Sequence, residues 1–284
     1  MDGLAALAAD NVWNDAILDI QGGVESAPRG LVTREKINHT TMCDMRYPIV
    51  TNTRRLLGYK FMIQEAIWIL RGDNRLSTIE PYSKMIGKFS DDKYFFRGAY
   101  GPKIIDQLQY ICKSLKEDRN TRQAVINIWR ESPHDTNDVP CTVSFQFLIR
   151  QDKLHIIANM RSNDLWLGWP YDNFNFSMLG AYVALLLYDI YKVEVGLGIT
   201  TINAGSRHLY KPNFESADMC TRSNYEDYVN YKPLNLKDYS SAEDFLEHLE
   251  FVSLDKGQIN EMKVKALDRE YGKGFAHELF NKAK

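Results

Sequence analysis

An α+β fold is predicted by three features of this chain. Apolar positions recur at helical spacing from Thr53 to Leu70, and β-rich runs bounded by turn signals begin at Ala124. Phe176 to Tyr191 (FSMLGAYVALLLYDIY) is apolar nearly all round. That last run reads as a buried central helix, because no stretch approaches the roughly 18 uninterrupted apolar residues that a membrane span requires. No repeat, low-complexity linker or shift in composition divides the 284 residues, so one domain over residues 1–284 is expected.

Trp13–Ile20 predicts a short amphipathic helix that stops before Gly22-Gly23. SAPRGLVTREK reads as a loop marked by Pro and Gly that presents Arg29, and MRYPIV as an edge or bulged strand because of Pro48. In the helix over Thr53–Leu70, Leu56, Leu57, Phe61, Ile63, Ala66, Ile67 and Leu70 make a broad apolar face. Glu65 lies in the middle of that apolar surface, one position before Ala66 and Ile67, and helical spacing leaves open whether it points to solvent. Residues 71–102 are polar and turn-rich. A second helix is expected over Ile104–Leu115, then strands in AVINIW, VSFQFLI and LHIIANM, with a hairpin at Gln151-Asp152-Lys153. ITTINAGSRHLY predicts a further strand and turn, and Ser240–Phe251 a helix with a capping box, Ser240-x-x-Glu243.

Composition narrows the function classes. With 44% hydrophobic and 25% charged residues the chain has material for a sizeable core, and a net charge of −2 gives no basic field for nucleic acid. The aromatic residues are numerous, but aromatics more often fill a core than stack on a ligand. Cys43, Cys112, Cys141 and Cys220 are far apart, form no CxxC pair and offer no metal site; free thiols fit a reducing cytosol. The N-terminal MDGLAALAADNVWNDAILDI carries acids where a signal peptide has a basic region. A cytoplasmic protein with no membrane partner is expected.

The chemistry concentrates in Pro140–Phe176, PCTVSFQFLIRQDKLHIIANMRSNDLWLGWPYDNFNF. Cys141 is a possible nucleophile, Arg161 an anion binder and Asp172 a hydrogen-bonding carboxyl. A lone cysteine is more often a small buried hydrophobe, but nearby arginines lower a thiol pKa and populate the reactive thiolate. A Cys–His pair would need His208, the histidine in a comparable context, and no local signature supports that pairing.

DVPCTVSFQFLIR, MRSNDLWLGWPYDNFNF and GSRHLY, in that order, resemble the thymidylate synthase family, with APRG, QEAIWILRGDN and AYG as further matches upstream. The resemblance covers roughly residues 12–215 and implies that family's fold, a mixed β-sheet flanked by helices around the long buried helix. It implies Cys141 as the nucleophile that adds to C6 of a pyrimidine nucleotide and Glu65 as the residue that orders water and relays protons near C4 and C5. Arg29, Arg161 and Ser162 would hold the 5′-phosphate, with Arg122 donated across a homodimer interface into the neighbouring site. His208 and Tyr210 would hold the sugar 3′-hydroxyl. Asp164, Gly168 and Tyr100 fall where the family contacts folate or base. The implied co-substrate is 5,10-methylenetetrahydrofolate, with no metal.

Three departures from the methylating synthases point to the substrate. Pro170-Tyr171-Asp172 stands where they have Pro-Phe-Asn, Cys141-Thr142 where they have Cys-His, and Met160 before Arg161 where they have Gln. An Asn amide can donate to uracil O4 and accept from N3–H, whereas cytosine offers an acceptor at N3 and a donor at N4. A carboxyl accepts from N4 and, when protonated, donates to N3, so Asp172 complements cytosine and is expected to leave uracil with an unmade bond. Phage deoxycytidylate hydroxymethylases share all three features. The resemblance therefore implies 5-hydroxymethylation of dCMP; CMP hydroxymethylation of the nucleoside-antibiotic kind and thymidylate synthesis from dUMP are the alternatives. Gln123 replaces a second family arginine, leaving the cross-dimer grip to Arg119 or to Arg122 alone. The first of two folate-side tryptophans would fall near Gly87, and HELFNKAK does not resemble the family's apolar closing tail.

Overall fold

The computed structural model describes residues 5–129, 136–253, 274–276 and 279. Helix α1 (Ala9–Ile20) buries Val12, Trp13, Ala16, Ile17 and Ile20, the i, i+4 pattern of one apolar stripe. It leads through β1 (Val24–Ser26) into the 12-residue strand β2 (Thr33–Asp44). Helix α2 (Tyr59–Leu70), the short α3 (Leu76–Ile79) and α4 (Tyr100–Glu117) follow. Then come β3 (Val125–Asn127), β4 (Thr142–Arg150) and β5 (Lys153–Asp164), the long α5 (Trp169–Tyr191), and β6 (Gly196–Tyr210). Helices α6 (Phe214–Thr221) and α7 (Ala242–Ser253) complete the elements with long regular segments.

Among the described residues the strands form one six-stranded mixed sheet in the order β1-β2-β6-β5-β4-β3. β5 and β6 pair in parallel, and every other neighbouring pair is antiparallel. A parallel pair needs a crossover, and α5 supplies it. Its sequence is apolar on all sides because it lies on the sheet and is itself covered by α2, α4 and α7. Phe145 of β4 meets Phe176 of α5 edge-on with ring centroids 4.8 Å apart. By length and composition α5 could cross a membrane, yet most of it is buried inside the protein.

Polar side chains on α5 are placed, not stranded. Asn173 Nδ2 donates to the Pro48 carbonyl at 2.9 Å, and the Ser177 and Thr200 hydroxyls bond at 2.8 Å. The opposite face of the sheet carries a side-chain ladder. Thr40 Oγ1 donates to Asn203 Oδ1 (2.9 Å), Asn203 Nδ2 to Asn159 Oδ1 (3.1 Å), and Asn159 Nδ2 to Ser144 Oγ (3.2 Å).

Several local expectations shift. The strand sits at Thr33–Asp44, not at Met45–Val50; its largely polar sequence hides it because β2 is half-exposed along most of its length. The first long helix starts at Tyr59, because Leu56 is held in the left-handed region (φ 51°) and Gly58 caps the helix. Helix α5 begins seven residues early, at Trp169, with Pro170 in its first turn, where a missing N–H costs no hydrogen bond. GSRHLY continues β6 without a turn. The α7 cap moves one residue on: Ser241 Oγ accepts from the Asp244 N–H at 3.0 Å, while Glu243 pairs with Arg71.

The hairpin falls as expected. Arg150 pairs with Lys153, and Gln151 and Asp152 both take positive φ (49° and 53°), the type I′ geometry that matches strand twist. Glycine carries no side-chain penalty there, and the exposed Arg119–Asp152 pair is worth little. Asp152→Gly is therefore expected to raise stability by about 0.5–1 kcal/mol in urea denaturation.

Candidate active site

Cys141 stands at the entrance to β4, partly open to solvent, whereas Cys43, Cys112 and Cys220 are buried. The Arg161 N–H donates to the Cys141 carbonyl at 2.9 Å, and Arg161 Nη2 lies 3.8 Å from Cys141 Sγ. The same guanidinium is braced by the Pro140 and Val139 carbonyls, both at 3.0 Å, so it is held across the segment before the cysteine. Arg29 adds a second positive charge near the thiol from a backbone at φ 56°, a left-handed conformation that stores strain where a side chain must be aimed. Burial nevertheless pushes the Cys141 thiol up; the charges of Arg161 and Arg29 pull it down but do not reverse the shift. The expected net lowering by arginines is not found, because desolvation outweighs it. Tyr100 accepts from the Thr142 N–H at 3.3 Å, its phenol raised by burial beside Asp172 and Cys141.

Behind the thiol lie two partly buried carboxyls. Glu65 on α2 points inward and accepts from Asn175 Nδ2 at 2.7 Å; burial pushes it up to about 7, so near neutrality it is divided between its two forms. Asp172 occupies the first turn of α5 and accepts from Asn163 Nδ2 at 2.7 Å. Burial, reinforced by the charge of Glu65, pushes it up to about 8, against the opposing pull of Arg207. Asp172 is thus largely neutral at pH 7. Gly168 sits against it: a Cβ there would approach Asp164 O at 3.1 Å and Asp172 Oδ2 at 3.4 Å. Asp164 Oδ1 accepts from the Trp166 and Leu167 N–H groups (2.7 and 3.1 Å), while Oδ2 is buried without a hydrogen-bond partner among the described residues. Burial raises the Asp164 carboxyl and lowers its neighbour His208.

The profile of the family described as thymidylate synthase matches residues 15–258. The chain belongs to the thymidylate synthase family. A Bacillus phage SP01 protein described as deoxyuridylate hydroxymethyltransferase is 33% identical over 171 residues, 52% of this chain and 44% of that protein. The aligned region thus spans under half of that relative's length.

Of the residues that the family resemblance singles out, Cys141, Arg161, Arg29, Tyr100, Glu65, Asp172 and Gly168 form one connected cluster. Asp164 pairs with His208 across β5 and β6, and the His208 ring meets Tyr210 edge-on at 5.1 Å. Ser162 follows Arg161 on β5, opposite Ser206. Arg122 is apart from them, exposed just before β3, and Arg119 is engaged with Asp152 at 2.7 Å. Among the described residues no hydrogen bond joins Cys141 to His208, whose polar neighbours include Ser206, Asp164 and Glu35. A Cβ at Gly87 would meet Glu80 Oε1 at 3.3 Å and Leu76 Cδ1 at 3.5 Å.

Sequence reasoning missed Asn163, Asn175 and Arg207, which hold the carboxyls in place. One signal was available: Asn175 is a polar residue three positions after Asp172, at the edge of the apolar run that starts at Phe176. Because the Glu65 charge helps raise Asp172, Glu65→Gln is expected to lower the Asp172 titration. Carbon-13 NMR of the labelled aspartate carboxyl measures it, and an unchanged midpoint would contradict the coupling.

Proposed function

We propose that this chain transfers a one-carbon unit from 5,10-methylenetetrahydrofolate to C5 of a cytidylate, dCMP in the first instance, and releases it as a 5-hydroxymethyl group. The observation that carries the reading is a carboxyl, Asp172, which is neutral near pH 7 and stands where the family's uracil-reading Asn would be. A neutral carboxyl presents one donor and one acceptor to N3 and the N4 amino group; once ionised it leaves N3 without a donor. The phosphate sits with Arg29, Arg161 and Ser162, and the sugar 3′-hydroxyl with His208 and Tyr210.

In the reaction, the Cys141 thiol loses its proton and the thiolate adds to C6. The S–C6 bond forms as the C5–C6 π pair moves towards C5 and the ring, and Asp172 meets the charge that develops at N3. C5 then bonds to the one-carbon unit and loses its hydrogen as a proton; the unit's carbon–nitrogen bond to the folate breaks, that nitrogen takes up a proton, and tetrahydrofolate would leave. Water held by Glu65 adds to the exocyclic carbon, and expulsion of the thiolate restores the ring. A Glu65 carboxyl raised to about 7 exchanges protons readily under those conditions. The buried, unpartnered Asp164 Oδ2 suits an N–H of the folate ring, so Asp164, beside Gly168 and Tyr100, would hold the folate, which supplies the one-carbon unit when bound.

A homodimer accords with the sheet face that carries the Thr40–Asn203–Asn159–Ser144 ladder, on which the described residues place no helix, and Arg122 would reach the partner's phosphate site. A second reading, hydroxymethylation of dUMP, is favoured by the name of the phage relative.

Three measurements test the proposal. With methylenetetrahydrofolate, dCMP should gain CH2O by mass spectrometry without dihydrofolate absorbance; dihydrofolate would indicate a methylating synthase, and a dUMP product alone would select the second reading. Cys141→Ser should abolish turnover while nucleotide binding persists, and normal turnover would remove the cysteine from the mechanism. Asp172→Asn should raise the dUMP:dCMP ratio of kcat/KM by at least about a hundredfold.

A further inference from the structure

By itself a neutral carboxyl is two-faced. Its O–H and C=O can meet N3 and N4 of cytosine, or, with the proton on the other oxygen, O4 and N3–H of uracil. A strict base preference needs something that fixes where the proton sits. Two residues to which the family resemblance assigns no role supply it.

Arg207 of β6 is fully buried, and among the described residues no carboxylate lies within ion-pair distance of it. Its Nη2 donates to Thr41 Oγ1 (3.3 Å) and the Ile202 carbonyl (3.1 Å), and its Nη1 donates to Asn163 Oδ1. Thr41 Oγ1 is also the acceptor for Trp169 Nε1 at 2.8 Å, which ties the guanidinium to the start of α5. A buried guanidinium without a paired anion is costly, so its setting calls for a role. Arginine has no acceptor, and that decides the orientation of the Asn163 amide. Oδ1 must face Arg207, and Nδ2 must face Asp172 Oδ2, 2.7 Å away. Since Nδ2 can only donate and a carbonyl oxygen accepts better than a hydroxyl oxygen, this contact favours Oδ2 as the carbonyl oxygen and the proton of the neutral carboxyl on Oδ1.

We propose that Arg207, acting through Asn163, fixes the proton of Asp172 on Oδ1 and thereby makes a symmetric carboxyl a one-sided reader of the pyrimidine edge. Arg207 and Asn163 are positioning residues; neither touches the base. The inference rests on the reading of Asp172 as the base-contacting group. The charged and titratable groups that face Asp172 are Glu65 from α2, Tyr100 from α4, Cys141 at β4, Asp164 from β5 and Arg207 from β6. Of these Arg207 is the cation whose charge favours the ionised form.

The test compares wild type with Arg207→Met and Asn163→Ser on dCMP and dUMP across pH, with methylenetetrahydrofolate as the donor. Both variants should lower the dCMP:dUMP ratio of kcat/KM at least about tenfold, since the carboxyl regains its second proton position. Turnover requires the neutral carboxyl and is lost as pH rises through its pKa. Removing the Arg207 charge raises that pKa, so the alkaline limb for dCMP should move up by about one pH unit in Arg207→Met. A merely structural role would lower activity on both nucleotides without moving the ratio or the limb, and that outcome overturns the inference while the proposed function stands. If wild type acts on neither nucleotide, the proposed function itself fails. Should Arg207→Met not fold, Asn163→Ser leaves the Thr41 and Ile202 contacts of the arginine in place and decides the question through the ratio alone.

Discussion

Taking two carboxyls out of water governs this site. Glu65 and Asp172 share one partly buried space, where loss of water raises the cost of ionising both and the charge of Glu65 raises it further for Asp172. Among the described residues no direct ion pair neutralises them. The protein gives each an amide donor, Asn175 for Glu65 and Asn163 for Asp172, and keeps the buried cation one side chain away. A salt bridge would have held the carboxyls ionised; amide donors leave them free to carry protons near neutral pH.

That arrangement depends on the crossover. β5 delivers Arg161, Asn163 and Asp164 at one end of the sheet, α5 begins immediately afterwards with Asp172 and Asn175, and β6 returns Arg207 and His208 beside β5. Parallel pairing of β5 and β6 brings Asp164 opposite His208, and the same pairing sets Asn163 opposite Arg207. The thiol enters from the neighbouring strand through the Arg161–Cys141 backbone hydrogen bond. Residues distant in sequence meet because adjacent strands and one helix start converge.

Much of this is legible in the sequence, for identifiable reasons. The buried helix shows because its residues are apolar on every side, and the Gln151-Asp152 hairpin shows because alternating runs flank it. β2 is hidden because a half-exposed strand such as REKINHTT has no clear alternation of apolar residues. The reactive side chains are visible because Cys141, Arg161 and Asp172 carry recognisable chemistry within a resembling motif. Their supports are not visible in the same way: Asn163 looks like one polar residue among several, and Arg207 looks like a surface cation until the fold buries it. The sign of the thiol shift is equally unreadable in one dimension, since it balances two arginines against a loss of water that the sequence does not encode.

The amide and hydroxyl ladder across β2, β6, β5 and β4 has a consequence for how the site is timed. Sliding any of those strands by one residue would send its side chain to the other face, and sliding by two would break the ladder on both sides. The sheet therefore works as a gauge: strand alignment far from the thiol fixes the spacing between Cys141 and Arg161 before any nucleotide arrives. Orientation is settled during folding, so binding need not organise the sheet, and whatever movement catalysis uses must come from the loops and helix ends around it.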